Sequence, residues 1–188
     1  MFLKRQDAHG LLVGMVGVKL GDRLLQIGCA HGGRLAAIAS KVGLSGRAVA
    51  VVSDDSSAER ARKGAEDAGV LVEIDKGAPT TLPHDPDSFD LVVVDDAGGA
   101  ASAMNPESRA AMLRQILRIL RPGGRAMIVG AAPASRLGKL FGGGRQAAPS
   151  FATGDAQRAL ETEGFKLVRT LAERDGLVFV EGVKPRAG

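Results

Sequence analysis

Three observations predict an α/β protein built on a mostly parallel sheet wrapped on both faces. Short apolar runs alternate with helical patterns along most of the chain. The first run, Leu24–Ile27, feeds a turn of little side-chain bulk, Gly28-Cys29-Ala30-His31-Gly32-Gly33, and then an alanine-rich helix. Near the end, two apolar runs are joined through Glu173-Arg174-Asp175-Gly176. Alternation is what a parallel sheet demands, because each strand needs a crossover to return to the same edge. Asp-Gly between apolar runs is a hairpin signal, so the last two strands should be antiparallel. With 188 residues, 45% of them hydrophobic, the chain can bury one sizeable core, and residues 1–188 are read as a single domain.

The elements follow in order. Asp7 to Lys19 is apolar with three glycines and reads as a loose helix, so residues 1–20 are expected to cap the sheet or close over a pocket. Gly21-Asp22 turns the chain into the first strand. Further strands are expected at Ala48–Val52, Val70–Ile74, Leu91–Val94, Ala126–Val129, Phe165–Leu171 and Leu177–Val183. The clearest helix precedes Leu120: Met112, Leu113, Ile116 and Leu117 repeat at helical spacing, and Arg109, Arg114 and Arg118 fall on a face expected to be solvated. Asn105 suits its N-cap, Pro106 its first position, and Glu107 its dipole. Between residues 131 and 153 the pattern dissolves into Ala, Pro, Gly and Ser, a long excursion read as an insertion and a candidate substrate lid. A last helix spans Asp155 to Glu163.

Composition excludes several classes. Lysine and arginine exceed acidic residues by only 25 to 21 and are scattered, so no nucleic-acid partner is expected. With six Phe and neither Trp nor Tyr, base-stacking platforms and aromatic cages are lacking. One cysteine and three dispersed histidines make neither an internal disulfide nor a metal site of familiar spacing, and Cys29 reads as a packing residue. The apolar run at 11–18 is short and broken by Gly14 and Gly17, too little for a signal peptide or a membrane span. A cytoplasmic protein is expected, with monomer and homodimer both open. His84, in a proline-punctuated loop, is expected at the surface.

The glycine-rich turn leaves backbone N–H groups free to approach a ligand at the positive end of a helix dipole. Its company downstream is Ser53-Asp54-Asp55 after the second strand, Asp95-Asp96 at the end of the fourth, and Leu120-Arg121-Pro122-Gly123-Gly124. The carboxyl end of a central parallel strand is where ligands meet in such sheets. In this order, and with Val18-Lys19-Leu20-Gly21-Asp22-Arg23, Lys41-Val42-Gly43 and Ser88-Phe89-Asp90, the chain from Lys19 to Lys184 resembles the class I S-adenosylmethionine-dependent methyltransferases. The resemblance is nearest to their small-molecule, quinone-biosynthesis-like branch.

That resemblance implies a Rossmann-like three-layer α/β/α sandwich whose seven strands run in the order 3-2-1-4-5-7-6, the last antiparallel. It implies S-adenosyl-L-methionine as cofactor and methyl transfer to a small-molecule acceptor. The family's acidic residue and alternating glycines become Gln26, Gly28, Ala30 and Gly32, a divergent motif in which Gln26 keeps hydrogen-bonding capacity and loses the charge. His31 would touch the cofactor's carboxylate or face solvent. Asp54 would hold the ribose hydroxyls, with Asp55 the alternative if the register slips by one; Asp54-Asp55-Ser56-Ser57 would alternatively cap the next helix, and adjacent residues could divide the two roles. Ala78, followed by Pro79, stands where the family often has an adenine-binding aspartate. Asp95 would lie near donor and acceptor, orienting the acceptor or taking its proton. Losing charge-assisted bonds at Gln26 and Ala78, each worth about 1.5–3 kcal/mol, favours a contrasting reading, a catalytically inactive binding or assembly module. A nicotinamide-dependent reductase would use Gly28, Ala30 and Gly33, but the closing hairpin and the absence of Tyr argue against it.

Overall fold

A computed structural model describes residues 9–132 and 150–186. The elements are α1 (Gly10–Val16), β1 (Arg23–Ile27), α2 (Gly32–Val42), β2 (Arg47–Val52), α3 (Asp55–Ala68), β3 (Glu73–Lys76), β4 (Phe89–Asp96), α4 (Pro106–Ile119), β5 (Leu120–Ala131), a 3-10 turn (Phe151–Thr153), α5 (Ala156–Thr162), β6 (Lys166–Arg174) and β7 (Leu177–Val183). The sheet has seven strands in the order β3-β2-β1-β4-β5-β7-β6, as expected. β1 to β5 pair in parallel, and β7 runs antiparallel to both β5 and β6.

Strand periodicity divides the core. Leu25, Ile27, Val92, Val94 and Ile128 face one side, where Met112, Leu113 and Ile116 of α4 and Leu160 of α5 cover them. Leu24, Leu91, Val93 and Met127 face the other, under Leu12 and Val16 of α1 and Ile38 and Val42 of α2. Burial on both faces is why these strands read as continuous apolar runs. On this second side α2 and α3 cross closely, because Gly32 and Gly64 meet without side chains: a Cβ at Gly64 would stand 2.6 Å from the Gly32 Cα.

Some expectations are corrected. The third strand starts at Glu73, not Val70, because α3 ends in a left-handed Gly69 and the Val70 N–H turns back to the Ala65 carbonyl. Arg118 leaves the solvated face: it donates to the carbonyls of Leu82 and His84 at 2.9 and 2.7 Å and pins that loop. His84 is not at the surface; its side chain is 8% exposed and packs edge-on against Phe89. The helix start at Asn105 is as expected, with its side chain accepting from the Ser108 N–H. Most of the 131–153 excursion, the candidate substrate lid, falls at 133–149, outside the described residues.

Candidate functional site

Strand order reverses between β1 and β4, so the loops leaving their carboxyl ends diverge and open a crevice. Gly28 begins the turn after β1 at φ +79°, a conformation that favours glycine, and a Cβ there would lie 3.1 Å from the Asp95 carbonyl oxygen. Its N–H reaches the Val51 carbonyl at 2.8 Å, tying the turn to β2. Asp95, 5% exposed, is fully engaged: one oxygen accepts from the Ala30 N–H at 2.9 Å, the other from Arg34 Nη2 at 3.3 Å and more weakly from the Ala97 N–H. The expected acceptor-facing acid therefore acts first as a clamp that fixes the glycine turn, not as a free base.

Gln26, 1% exposed, lies under that turn. Its Nε2 donates to the Gly28 carbonyl at 3.0 Å, while its Oε1 is buried with no donor. An acceptor left so costs about 1–3 kcal/mol, which a ligand donor would recover. Asp54 is the N-cap of α3, its two oxygens accepting from the N–H and hydroxyl of Ser57 at 2.8 and 2.9 Å. Those bonds hold its carboxyl below the ordinary carboxylate value. Asp55 is solvent-exposed and pairs with Lys76. The capping alternative thus describes Asp54, and neither carboxylate lines the crevice. Gly32 is also corrected: its open face meets the Arg60 carbonyl, so its lack of a side chain serves helix packing rather than a ligand. His31 caps α2, its Nδ1 accepting from the Gly33 N–H at 3.2 Å.

A cavity of about 330 Å³ occupies the crevice, with Gly28, Ser53, Ala78, Pro79, Asp95 and Met104 among its lining. The structure thus brings together Gly28, Ala78, Pro79 and Asp95 and adds Ser53, one residue before the expected acid. Arg34 and Arg60 were missed. Arg60 reaches from α3 to the Cys29 carbonyl at 3.0 Å and to Ser57, and only its spacing from Ser56 and Ser57 hinted at that. Cys29 is buried as expected, and burial followed by the nearby Asp95 charge pushes its thiol up to about 11. A larger cavity, about 510 Å³, lies at the amino ends of β2 and β3, around Gly43, Arg47 and Leu71, away from this turn. Its charged groups, Arg47 and Glu73, already satisfy each other at 2.7 Å.

Residues 24–124 match the family model of the methyltransferase domain. The chain belongs to that family. S-adenosyl-L-methionine is the family's methyl donor, and the seven-stranded order with its antiparallel closure is the family's fold. Among similar proteins, a ubiquinone/menaquinone biosynthesis C-methyltransferase of Idiomarina loihiensis is 29% identical over 115 residues, 60% of this chain and 44% of that protein. The 27-O-demethylrifamycin SV methyltransferase of Amycolatopsis mediterranei is 34% identical over 116 residues, 61% of this chain and 40% of that one. The chain thus spans less than half the length of these curated relatives. In fold it is similar to a SAM-dependent methyltransferase from Aquifex aeolicus, with a TM-score of 0.72 at 16% identity over 96% of this chain and 91% of the other.

The residues present fit such a donor. Small residues at Gly28, Gly77 and Ala78 leave room beside the strand ends, and the orphaned Gln26 oxygen awaits a hydrogen-bond donor. Among the described residues, no group of three or more His, Cys, Asp or Glu stands together as a metal site, and no helix is long and apolar enough to cross a membrane.

Proposed function

We propose that this domain transfers the methyl group of S-adenosylmethionine to a small-molecule acceptor. The observation that carries the reading is the crevice beside Gly28, floored by small residues, together with the buried, unpartnered Oε1 of Gln26 beneath the same glycine turn. The bound donor supplies a methyl group already activated on a sulfonium. The chain supplies placement. Gln26 accepts a hydrogen bond from the donor's ammonium, Ser53 faces its ribose, and Ala78 and Pro79 pack against its adenine. Asp95 is a positioning residue, holding the Ala30 N–H and Arg34 so that the turn keeps its shape. With an activated donor, alignment and exclusion of water suffice and no dedicated base is required. A small acceptor is supported by the relatives named for quinone biosynthesis and for rifamycin methylation.

Isothermal titration with S-adenosylmethionine and S-adenosylhomocysteine tests this. Micromolar binding is expected, weakened about tenfold in Gln26→Leu by loss of one charge-assisted hydrogen bond. Asp54→Ala should bind within about twofold of the parent, since its carboxylate caps α3. No heat with millimolar ligand would replace this reading with the non-catalytic binding or assembly module.

A further inference from the structure

A second cavity, about 400 Å³, borders the same two turns as the donor crevice. The crevice touches Gly28 and Asp95, and the second cavity touches His31, Arg34 and Ala97, so both border the glycine turn and the turn after β4. Its remaining wall is apolar, with Leu12 of α1 and Leu177 of β7, and Asp175 is its one carboxylate among the described residues.

Nitrogen donors converge on it. The rings of His9 and His31 lie 5.9 Å apart over Gly33, where a Cβ would meet both. Because the His31 Nδ1 accepts the Gly33 N–H, its Nε2 is left as the ring's donor. Arg34 reaches Asp95 through Nη2, and among the described residues its Nε and Nη1 have no hydrogen-bond partner. Burial, then the neighbouring His31 and Arg34, hold His9 below the ordinary histidine value. An anion between these groups pairs the spare donors. Resting on the donor site proposed above, we propose that this cavity recognises a small carboxylic acid, the methyl acceptor, through His9, His31 and Arg34. Leu12 and Leu177 take its hydrocarbon part.

The three histidines give a direct test, because His84 lies elsewhere, against Phe89, and serves as internal control. Benzoate and its neutral isostere methyl benzoate are titrated into the full chain while the imidazole C–H resonances are followed by NMR, without and with saturating S-adenosylhomocysteine. Expected are millimolar benzoate shifts of His9 and His31 but not His84, persisting with S-adenosylhomocysteine bound and absent with methyl benzoate. His9→Gln should weaken benzoate about fivefold, as for one solvent-screened bond to a charge. No shift, or an equal response to the ester, overturns the proposal. Displacement of benzoate by S-adenosylhomocysteine also overturns it, assigning the cluster to the donor's own carboxylate. Selective benzoate shifts without any S-adenosylhomocysteine binding would instead overturn the proposed methyl transfer while leaving an anion site.

Discussion

Asp95 shows how one side chain decides the shape of the site. It accepts from the backbone of the glycine turn and from Arg34 on the first turn of α2, and both bonds run to groups more than sixty positions earlier in the chain. Asp95→Ala would leave the Ala30 N–H and the Arg34 guanidinium without this partner, at a cost of about 1–3 kcal/mol per buried group. Asp95→Asn keeps one acceptor oxygen and should lose less in urea unfolding. If the alanine variant matched the parent in stability, the clamp assignment would fail. Sequence showed Asp95 at a strand end but not which partners it takes, since the Ala30 N–H and Arg34 come from a distant turn. The same holds for Gln26: its place in the motif was legible, its orphaned oxygen was not.

At the scale of elements, α2 and α3 depend on contact between Gly32 and Gly64. Gly64→Ala gains up to about 1 kcal/mol in helix propensity. It also drives a Cβ into the backbone of the facing helix, which no rotamer relieves, and overpacking costs about 1–3 kcal/mol. The second effect wins, so the variant should melt lower by calorimetry; an unchanged or higher melting temperature would show that the helices separate freely. Capping adds a pH signature. With its pKa held down in the folded chain by Ser57, Asp54 stabilises fully above the ordinary carboxylate pKa, and that contribution is lost as pH falls through its folded value. The melting deficit of Asp54→Ala should therefore be present at about pH 6 and shrink below about pH 4. The parallel sheet and the closing hairpin were legible because alternation and Asp175-Gly176 are local signals, whereas the strand order came from the family resemblance. The register after β2 was not. Ser53-Asp54-Asp55-Ser56 offers several N-caps, and only the Ser57 bonds choose Asp54.

Across the whole molecule, one buried carboxylate links the most distant parts of the described chain. Glu181 of β7, 5% exposed, accepts from Arg125 of β5 at 2.9 Å and from Arg169 of β6 at 3.1 Å. Arg125 then donates to the Val16 and Gly17 carbonyls, closing the C-terminal end of α1. At seven residues α1 is too short to be stable alone, so it depends on Leu12 and Val16 in the core and on this guanidinium. Removing one partner of a fully buried pair costs roughly 3–5 kcal/mol. Glu181→Ala should fall below that, because Arg169 is 68% exposed and stays hydrated. Its sharper consequence is local. Freed from Glu181, Arg125 holds α1 less well, and amide exchange should accelerate in Val13 to Gly17 more than in the central strand β4. Since α1 also brings Leu12 to the second cavity, benzoate affinity should fall with it, although Glu181 is not among that cavity's lining. Uniform acceleration across the sheet would instead mean that Glu181 supports global stability alone, with no special hold on the N-terminal helix.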